Sequence, residues 1–359
     1  MERLMPVFIA LTLMTTMLRA STIVAANDPS IRYSGRWDMA DPLHPRFSWP
    51  GVYITVSFTG TSIGILLDDH TNYYNLYIDG VLHSVFHGTT EGTTAYPLVE
   101  GLKDTVHTFS LHRRNMTFGE VYTCAGFIPD DHGRLSPPPP HPDRRMEFIG
   151  DSFTAAESNE TTAQSLPWED RFPVTNIDLG FAPCIARHFN AEYTTTCRSG
   201  SGMVCDWQGN RSESIPARFG RTLMDSPLPT WDFSRWVPDV VVICLGLNDY
   251  SGLKDSAGAV SEERSALFRT TYHDFLRTIR DVYPGVRIVA VAAFPPWIRA
   301  MVTHIVAAER SAGRTDIIYA TFDEFPGGYV GNGHPTVATH RLMADQIIGA
   351  MEHQDLFQR

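Results

Sequence analysis

Residues 52–129 consist of short apolar runs that follow one another without a helical period. The runs are VYITVSF, SIGILL, YYNLYI, HSVFH, HTFSLH and VYTCAGF, all rich in β-branched and aromatic residues. Gly, Asp and Thr residues separate them, and Asp79-Gly80 between two runs is a strong hairpin signal. Several short strands at regular spacing predict an all-β sandwich of jelly-roll type. The preceding residues 31–51 predict an edge strand.

The pattern changes after a proline run. Pro137 to Pro140, followed by His141 and Pro142, cannot continue a sheet and favour a stiff, extended connection. Beyond it, apolar runs at 146–149, 240–245, 286–292 and 317–320 alternate with helical patterns, clearest at 261–282 and 335–351. Strands that alternate with helices predict a parallel sheet covered on both faces, which is a three-layer α/β domain.

The N-terminus has the features of a secretory signal peptide. Arg3 precedes an apolar run over residues 4–18, and the small residues of a candidate cleavage site follow, up to Ala26. A signal anchor is the alternative, but spanning a bilayer takes roughly 20 apolar residues. We therefore predict cleavage near Ala26 and a secreted, extracellular protein that is not held at a membrane. The predicted divisions are 1–26 signal peptide, 27–135 β-sandwich, 136–144 linker and 145–359 catalytic domain.

Charge and composition exclude several classes of function. The 359 residues carry a formal net charge of −11 and no basic run. Because phosphate neutralisation dominates nucleic-acid affinity, an acidic chain of this kind is a poor candidate for binding nucleic acid. No cysteine or histidine spacing is typical of a zinc site, so we expect neither a metal nor another cofactor. We expect a monomer.

Cysteines and glycosylation sequons matter for an exported chain. Cys184, Cys197 and Cys205 are close enough in sequence for one disulfide, whose pairing stays open, while Cys244 is expected to be buried in a strand. The acceptor sequons for N-glycosylation begin at Asn115, Asn159 and Asn210.

Residues with catalytic chemistry follow the predicted strands of the second domain. Ser152 follows the first strand, Gly200 follows AEYTTTC, Asn248 follows VVVICLG, and His334 precedes the final helix. In a parallel sheet, ligands bind beyond the carboxyl ends of the strands. We therefore expect these four residues to meet at one edge of the sheet.

This set is what acyl transfer requires. A serine hydroxyl is a weak nucleophile until a base takes its proton, and a histidine side chain titrates near working pH. The tetrahedral intermediate carries an oxyanion that needs preorganised donors. The backbone N–H groups of Ser152 and Gly200 and the side-chain amide of Asn248 are the candidate donors, with His334 as the candidate base.

The segments FIGDSFTAAES, SGSG, LGLND and GHP resemble the four blocks of the SGNH (GDSL-like) hydrolase superfamily, in order and separation. A β-sandwich ahead of this domain resembles carbohydrate esterase family 2. The resemblance implies a serine esterase that removes O-acetyl groups from acetylated xylan or glucomannan. It implies Ser152 as nucleophile, His334 as base, and Gly200 and Asn248 as oxyanion donors.

One position departs from the superfamily pattern. An acid usually stands three residues before the histidine, and here that position is Gly331. A backbone carbonyl of Gly331, Asn332 or Gly333 is one candidate for orienting His334. Asp323 or Glu324, folded in as a substitute acid, is the other. A protein without activity is a third interpretation of the missing acid.

Aromatic residues near the motifs are candidates for stacking on sugar rings. Trp207 follows the oxyanion glycine and is the predicted substrate-binding residue, and Trp297 and Tyr250 are further candidates. Each of the three could equally be a partly buried core aromatic. Asp151 and Asp249 are expected to brace their loops. Two alternatives to a polysaccharide deacetylase remain: a carbohydrate-binding protein without catalysis, and an SGNH esterase acting on lipid or sialic acid esters.

Overall fold

The computed structural model describes residues 23–354 and Leu356, so most of the predicted signal peptide, residues 1–26, lies outside the described residues. The strands of the first half are β1 Val24–Ala25, β2 Arg32–Ser34, β3 Arg46–Phe47, β4 Tyr53–Gly60, β5 Ile63–Asp69, β6 Tyr73–Ile78, β7 Val81–His87, β8 Thr90–Val99, β9 Thr105–Arg113, β10 Tyr122–Pro129 and β11 Arg134–Ser136. The second half contains β12 Arg144–Gly150, α1 Phe181–His188, β13 Ala191–Cys197, α2 Ile215–Arg218, β14 Val240–Cys244, α3 Leu247–Leu253, α4 Glu262–Val282, β15 Arg287–Ala292, α5 Pro296–Ser311, β16 Ile317–Thr321, β17 Tyr329–Val330, β18 His334–Pro335 and α6 Val337–His353.

The first half is a sandwich of two antiparallel sheets, as predicted. One sheet has the order β1-β10-β5-β8 with β3 beside β10, and the other has the order β11-β4-β9-β6-β7 with β2 beside β4. The β6–β7 hairpin turns at Asp79 and Gly80, which both have positive φ, so Ile78 pairs directly with Val81. β2 is the predicted edge strand.

Strand β8 was not predicted from the sequence. Its residues, TEGTTAYPLV, are mostly polar, and their side chains are mostly exposed on an edge strand paired with β5. The signals for a buried strand, apolar alternation and β-branched apolar residues, are therefore weak in this segment.

The second half is a three-layer α/β domain, as predicted. Its sheet is parallel throughout, with the order β13-β12-β14-β15-β16, and β14 is buried along its whole length. The final helix begins at Val337 rather than 335, because His334 and Pro335 pair with β17. Thr336 then caps the helix by accepting a hydrogen bond from the N–H of Thr339 at 3.1 Å.

The two halves share a buried interface. Arg36, from the segment that leads into the sandwich, is 1% exposed, and its Nη2 atom lies 3.0 Å from Oε1 of the buried Glu147 on β12. Further along, the β9–β10 connection runs across the second half, where the N–H of Gly119 donates to Asp225. This connection brings Phe118 to the carboxyl edge of the parallel sheet.

The structure differs from the expectations for an exported chain at the cysteines and at the glycosylation sequons. All five cysteines lie in the described part of the chain, and each is buried and free, so the considered disulfide is not formed. Asn115 and Asn159 are buried and hydrogen-bonded, whereas Asn210 is exposed. A folded chain therefore presents only Asn210, of the three sequon asparagines, for a glycan.

Candidate active site

Four loops meet at the carboxyl edge of the parallel sheet and surround one cavity of about 490 Å³. The cavity is lined by Phe118, Ser152, Glu157, Trp168, Arg171, Ser199, Gly200, Trp207, Asn248, Asn332 and His334. The structure thus brings together all five residues predicted from the sequence as site residues. It adds six others, of which only Asn332 had been named from the sequence, as one candidate for orienting His334.

Ser152 lies on a tight turn directly after β12. A Cβ atom on Gly150 would fall 1.9 Å from Oγ1 of Thr154 and 2.9 Å from the carbonyl oxygen of Cys244, so only glycine fits before the turn. The carbonyl of Ser152 accepts a hydrogen bond from the N–H of Glu157 at 3.1 Å. This bond fixes the backbone of the turn, and Ser152 lines the cavity.

His334 is held by the main chain. Its Nδ1 atom lies 2.7 Å from the carbonyl oxygen of Gly331. A carbonyl can only accept, so Nδ1 carries the proton and Nε2 of the neutral ring is the free base. Asp323 instead binds Arg299 at the surface, at 3.0 Å, and Glu324 is exposed as well. Of the groups considered for orienting the ring, the structure selects the Gly331 carbonyl.

An acidic side chain has no space at position 331. Gly331 has φ of 47°, and a Cβ atom there would lie 2.3 Å from the Cβ of Ser158. Real Cβ atoms do not approach this closely, and only glycine adopts this backbone conformation easily. Ser158 thus packs too closely against the histidine loop for any side chain at position 331, acidic or not.

The amide of Asn248 lies between two acceptors. Its Nδ2 atom donates to the carbonyl of Ser201 at 3.0 Å and, more weakly, to Oδ2 of Asp151 at 3.3 Å. The long bond to Asp151 is the easier of the two to exchange for a new acceptor in the cavity. Asp151 also accepts from the N–H of Phe153 at 3.0 Å and so braces the turn of Ser152.

Asp249 anchors the loop that carries Gly200 and Trp207. It is fully buried and accepts hydrogen bonds from three consecutive backbone N–H groups, those of Met203, Val204 and Cys205, at 2.7, 2.6 and 3.2 Å. This arrangement matches the structural role expected for Asp249. Gly200 has a positive φ of 77°, and a Cβ atom there would lie 3.2 Å from Trp207.

Two buried carboxyl groups lie behind the cavity. Burial raises the pKa of Asp151 to about 7, and the charge of Asp249 adds to this effect. Burial also raises the pKa of Asp249 to about 6, although its three backbone hydrogen bonds oppose the rise. Both groups therefore change charge within the range of pH in which an esterase is assayed.

Aromatic side chains form the walls of the cavity. Trp207 is 57% exposed, which leaves much of its indole ring open to a ligand. Phe118, from the sandwich, stacks on Trp168 with ring centroids 4.6 Å apart and planes 2° from parallel. Phe118 and Trp168 lie outside every motif, so no sequence signal marks them as site residues.

The other aromatic candidates lie outside the cavity. Trp297 stacks on Tyr250 at 6.0 Å, and its indole N–H donates to Oγ of Ser265 at 3.0 Å. The hydroxyl of Tyr250 donates to the carbonyl of Gly258. Both rings are core aromatics.

The described residues hold neither a candidate metal cluster nor a helix able to span a membrane. Across residues 23–354 and Leu356, no group of three or more His, Cys, Asp or Glu side chains is arranged to hold a metal ion. No helix in this part of the chain combines the length and the apolar character that crossing a membrane requires.

Comparison with known proteins shows which families the two halves of the chain match. The Carbohydrate esterase 2 N-terminal model matches residues 33–139, and the GDSL-like Lipase/Acylhydrolase family model matches residues 148–342. Cellulase/esterase CelE of Acetivibrio thermocellus is 30% identical over 342 residues, which are 91% of this chain and 40% of that protein. The chain thus spans less than half the length of this relative.

Two further likenesses extend over most of the fold. An acetylxylan esterase / glucomannan deacetylase of Cellvibrio japonicus is 29% identical over 246 residues, 67% of each protein. The structure of a family two carbohydrate esterase from Clostridium thermocellum in complex with cellohexaose is 28% identical with a TM-score of 0.81, covering 90% of this chain and 98% of that one. With both family models matching in order along one continuous fold, the chain belongs to the GDSL-like lipase/acylhydrolase family and is similar to family two carbohydrate esterases.

Proposed function

We propose that the protein is a secreted serine esterase that removes O-acetyl groups from plant polysaccharides such as acetylated xylan and glucomannan. The observation that carries the proposal is that Ser152, Gly200, Asn248 and His334 line the same cavity. The names of the relatives, which include esterases and a glucomannan deacetylase, support the same chemistry. Secretion rests on the sequence of residues 1–26.

The first half of the reaction acetylates the serine. Nε2 of His334 takes the proton from Oγ of Ser152 as that oxygen attacks the acetyl carbonyl. The carbonyl oxygen becomes an oxyanion, which the N–H groups of Ser152 and Gly200 and the amide of Asn248 stabilise, each donor lowering the barrier by roughly 3–4 kcal/mol. The intermediate then collapses, and the sugar hydroxyl leaves with the proton from His334.

The second half returns the free enzyme. Water gives its proton to Nε2 of His334 and attacks the acetyl-serine, and the same donors stabilise the second oxyanion. Acetate leaves, and Ser152 recovers its proton from the imidazolium. In both halves the Gly331 carbonyl keeps Nδ1 protonated and directs Nε2 to the reacting atoms.

The experiment that tests the proposal compares Ser152→Ala and His334→Ala with the wild type. We expect each variant to lose acetate release from acetylated xylan and from 4-nitrophenyl acetate by about 10⁴-fold or more, while the fold stays intact by circular dichroism. Ser251→Ala, at an exposed serine of α3, is the matched control and should retain activity. Turnover that survives Ser152→Ala would remove the proposal.

Glycan binding without catalysis is a second candidate, because a similar structure holds cellohexaose, a chain that carries no ester. The exposed Trp207 and the Phe118–Trp168 stack give the cavity the aromatic rim that such binding uses. Calorimetric titration with cellohexaose, run beside a panel of acetylated xylan, glucomannan, sialic acid and lipid esters, separates the functions. Binding with no hydrolysis of any ester would favour the second candidate.

A further inference from the structure

A carboxylate lies beside the ring of His334 even though the usual acid is missing. Oε1 of Glu157 is 3.8 Å from Nδ1 of His334, and the Glu157 side chain is only 6% exposed. Nδ1 already donates to the Gly331 carbonyl at 2.7 Å, so Glu157 reaches the ring through its charge rather than as the first hydrogen-bond acceptor.

The backbone around Glu157 is shaped to place this side chain. Ala156 and Ser158 flank it, and both have positive φ, of 52° and 56°, in the region that residues other than glycine rarely adopt. Ser158 is also the residue whose Cβ would lie 2.3 Å from a Cβ at position 331. The same short segment thus excludes an acid from the histidine loop and presents another acid in its place.

Arg171 holds the carboxylate in position. Its Nη1 atom is 2.6 Å from Oε1 of Glu157, and its Nε atom donates to the carbonyl of Leu166. The pair lines the cavity next to the ring. A buried carboxylate needs such a partner to stay ionised, because burial alone disfavours the charged form.

We propose that Glu157 is a positioning residue that stabilises the protonated ring of His334 by its charge, and that Arg171 sets how much of that charge the ring receives. This inference rests on the proposed function, in which His334 becomes an imidazolium when it takes the proton of Ser152. A negative charge within 4–6 Å favours a protonated imidazole. It therefore favours the transition state over the resting enzyme, in which the ring is neutral.

Among the described residues, the other groups near the ring include a hydroxyl, a phenyl ring, a second histidine and a buried carboxyl. The Ser152 hydroxyl and the Phe153 ring lie on the nucleophile turn, and Phe153 meets the imidazole edge-on at 6.1 Å. On α6, burial and the neighbouring His334 lower the pKa of His340 to about 3, so that ring is neutral in the working range. Asp151 lies behind the turn and titrates near neutral pH, so it needs its own control.

The experiment uses Glu157→Gln and Arg171→Met, assayed on 4-nitrophenyl acetate between pH 4.5 and 9. We expect Glu157→Gln to lower kcat about tenfold and to leave KM within about twofold, since the charge acts mainly on the transition state. The acidic midpoint of kcat/KM should move to lower pH in Glu157→Gln and to higher pH in Arg171→Met. Glu157→Asp should recover part of the loss. If Glu157 and Arg171 only supported the fold, the two variants would not shift the acidic midpoint in opposite directions.

Two controls keep the outcomes distinct. Glu160→Gln removes a charge from the same segment where it binds Arg114 and Asn176, and it should leave the midpoint in place. Asp151→Asn shows which part of the profile belongs to that carboxyl. If Glu157→Gln keeps both the wild-type kcat and the wild-type midpoint, the inference is overturned.

An NMR titration of the His334 ring in Ser152→Ala protein, with and without Glu157→Gln, reads the same effect without catalysis. We expect its midpoint to fall when Glu157→Gln is added. If the wild type hydrolyses no ester while this midpoint still falls, the proposed function fails and the effect of the Glu157 charge stands. If Ser152→Ala abolishes turnover but the midpoint does not change, only the role of Glu157 fails.

Discussion

Nδ1 of His334 is bound by the carbonyl oxygen of Gly331, 2.7 Å away, at the position where an SGNH hydrolase usually places its acid. A carbonyl carries no net charge, so it fixes the tautomer of the ring without neutralising the imidazolium. In this arrangement the Gly331 carbonyl orients the imidazole ring but does not stabilise its positive charge. In the usual SGNH pattern a single carboxylate does both.

Replacement of Gly331 should be costly and should not restore a triad. We expect Gly331→Ala and Gly331→Asp to lower kcat at least tenfold, because the new Cβ meets Ser158 and displaces the carbonyl that holds the ring. The left-handed conformation costs alanine roughly a further 1–2 kcal/mol of stability, and aspartate less. Steady-state kinetics and thermal melting measure both effects.

Gly333→Ala is the matched control for this pair. Gly333 also has a positive φ, of 89°, but a Cβ there would have no atom within 4 Å. The Gly333→Ala variant should therefore lose only the stability that a left-handed backbone conformation costs alanine. A Gly331→Asp enzyme more active than the wild type would contradict the account of the carbonyl.

Asn248→Ala should act on the chemical step. Loss of one oxyanion donor lowers kcat by about 10²- to 10³-fold, with little change in KM. The expectation follows from the position of the amide in the cavity and its long 3.3 Å bond to Asp151. Kinetics on 4-nitrophenyl acetate provide the measurement, and a rise in KM at constant kcat would mean that Asn248 binds substrate instead.

Trp207→Ala should act on long substrates only. Because the ring is 57% exposed, its loss should leave the melting temperature unchanged and raise KM for acetylated xylan about tenfold, which corresponds to about 1.4 kcal/mol. Activity on 4-nitrophenyl acetate should stay near the wild-type value. Trp297→Phe, outside the cavity, serves as the control, and equal losses on both substrates would count against a sugar platform.

Phe118→Ala should show whether the sandwich takes part in substrate binding. Its ring stacks on Trp168 at the wall of the cavity, so we expect a higher KM for acetylated xylan and an unchanged rate on 4-nitrophenyl acetate. Comparison of KM for the two substrates measures the effect. An unchanged KM for xylan would confine the sandwich to a structural role.

Asp151 should make stability depend on pH. Its folded pKa of about 7 lies above the ordinary value of 3.8, so its contribution is fully present below about pH 4 and is lost as pH rises through 7. We expect Asp151→Asn to gain stability relative to the wild type between pH 5 and pH 8, by at most about 3 kcal/mol, because the titration spans about two pH units of this window. Urea denaturation at both values of pH is the measurement.

Asp323→Asn is the control for this titration. Asp323 is exposed, and its hydrogen bond from Arg299 lowers its pKa, so its contribution is lost only as pH falls below the ordinary range. Its stability relative to the wild type should not change between pH 5 and pH 8. If the stability of Asp151→Asn relative to the wild type also stayed constant between pH 5 and pH 8, the Asp151 carboxyl would not titrate in this range.

The sequence by itself determined the two folds and the motif residues of the cavity, because local periodicity and turn residues specify elements. The strand run 240–245 and the Asp79-Gly80 turn are examples, and both have the predicted structure. Parallel strands then bring Ser152 and Asn248 to one edge, whatever lies between them in sequence.

Only the tertiary structure decided what surrounds those residues. The Glu157 carboxylate beside the ring and the Phe118 wall depend on contacts between segments far apart in the chain. The sequence offered the Gly331 carbonyl only as one of several candidates, and the folded loop decided among them. Neither a hydrophobic period nor a motif records such contacts, since they arise from how Ser158 packs against one loop and how the sandwich lies against the α/β domain. The residues that could carry the chemistry follow from local pattern, and their mutual orientation follows from packing.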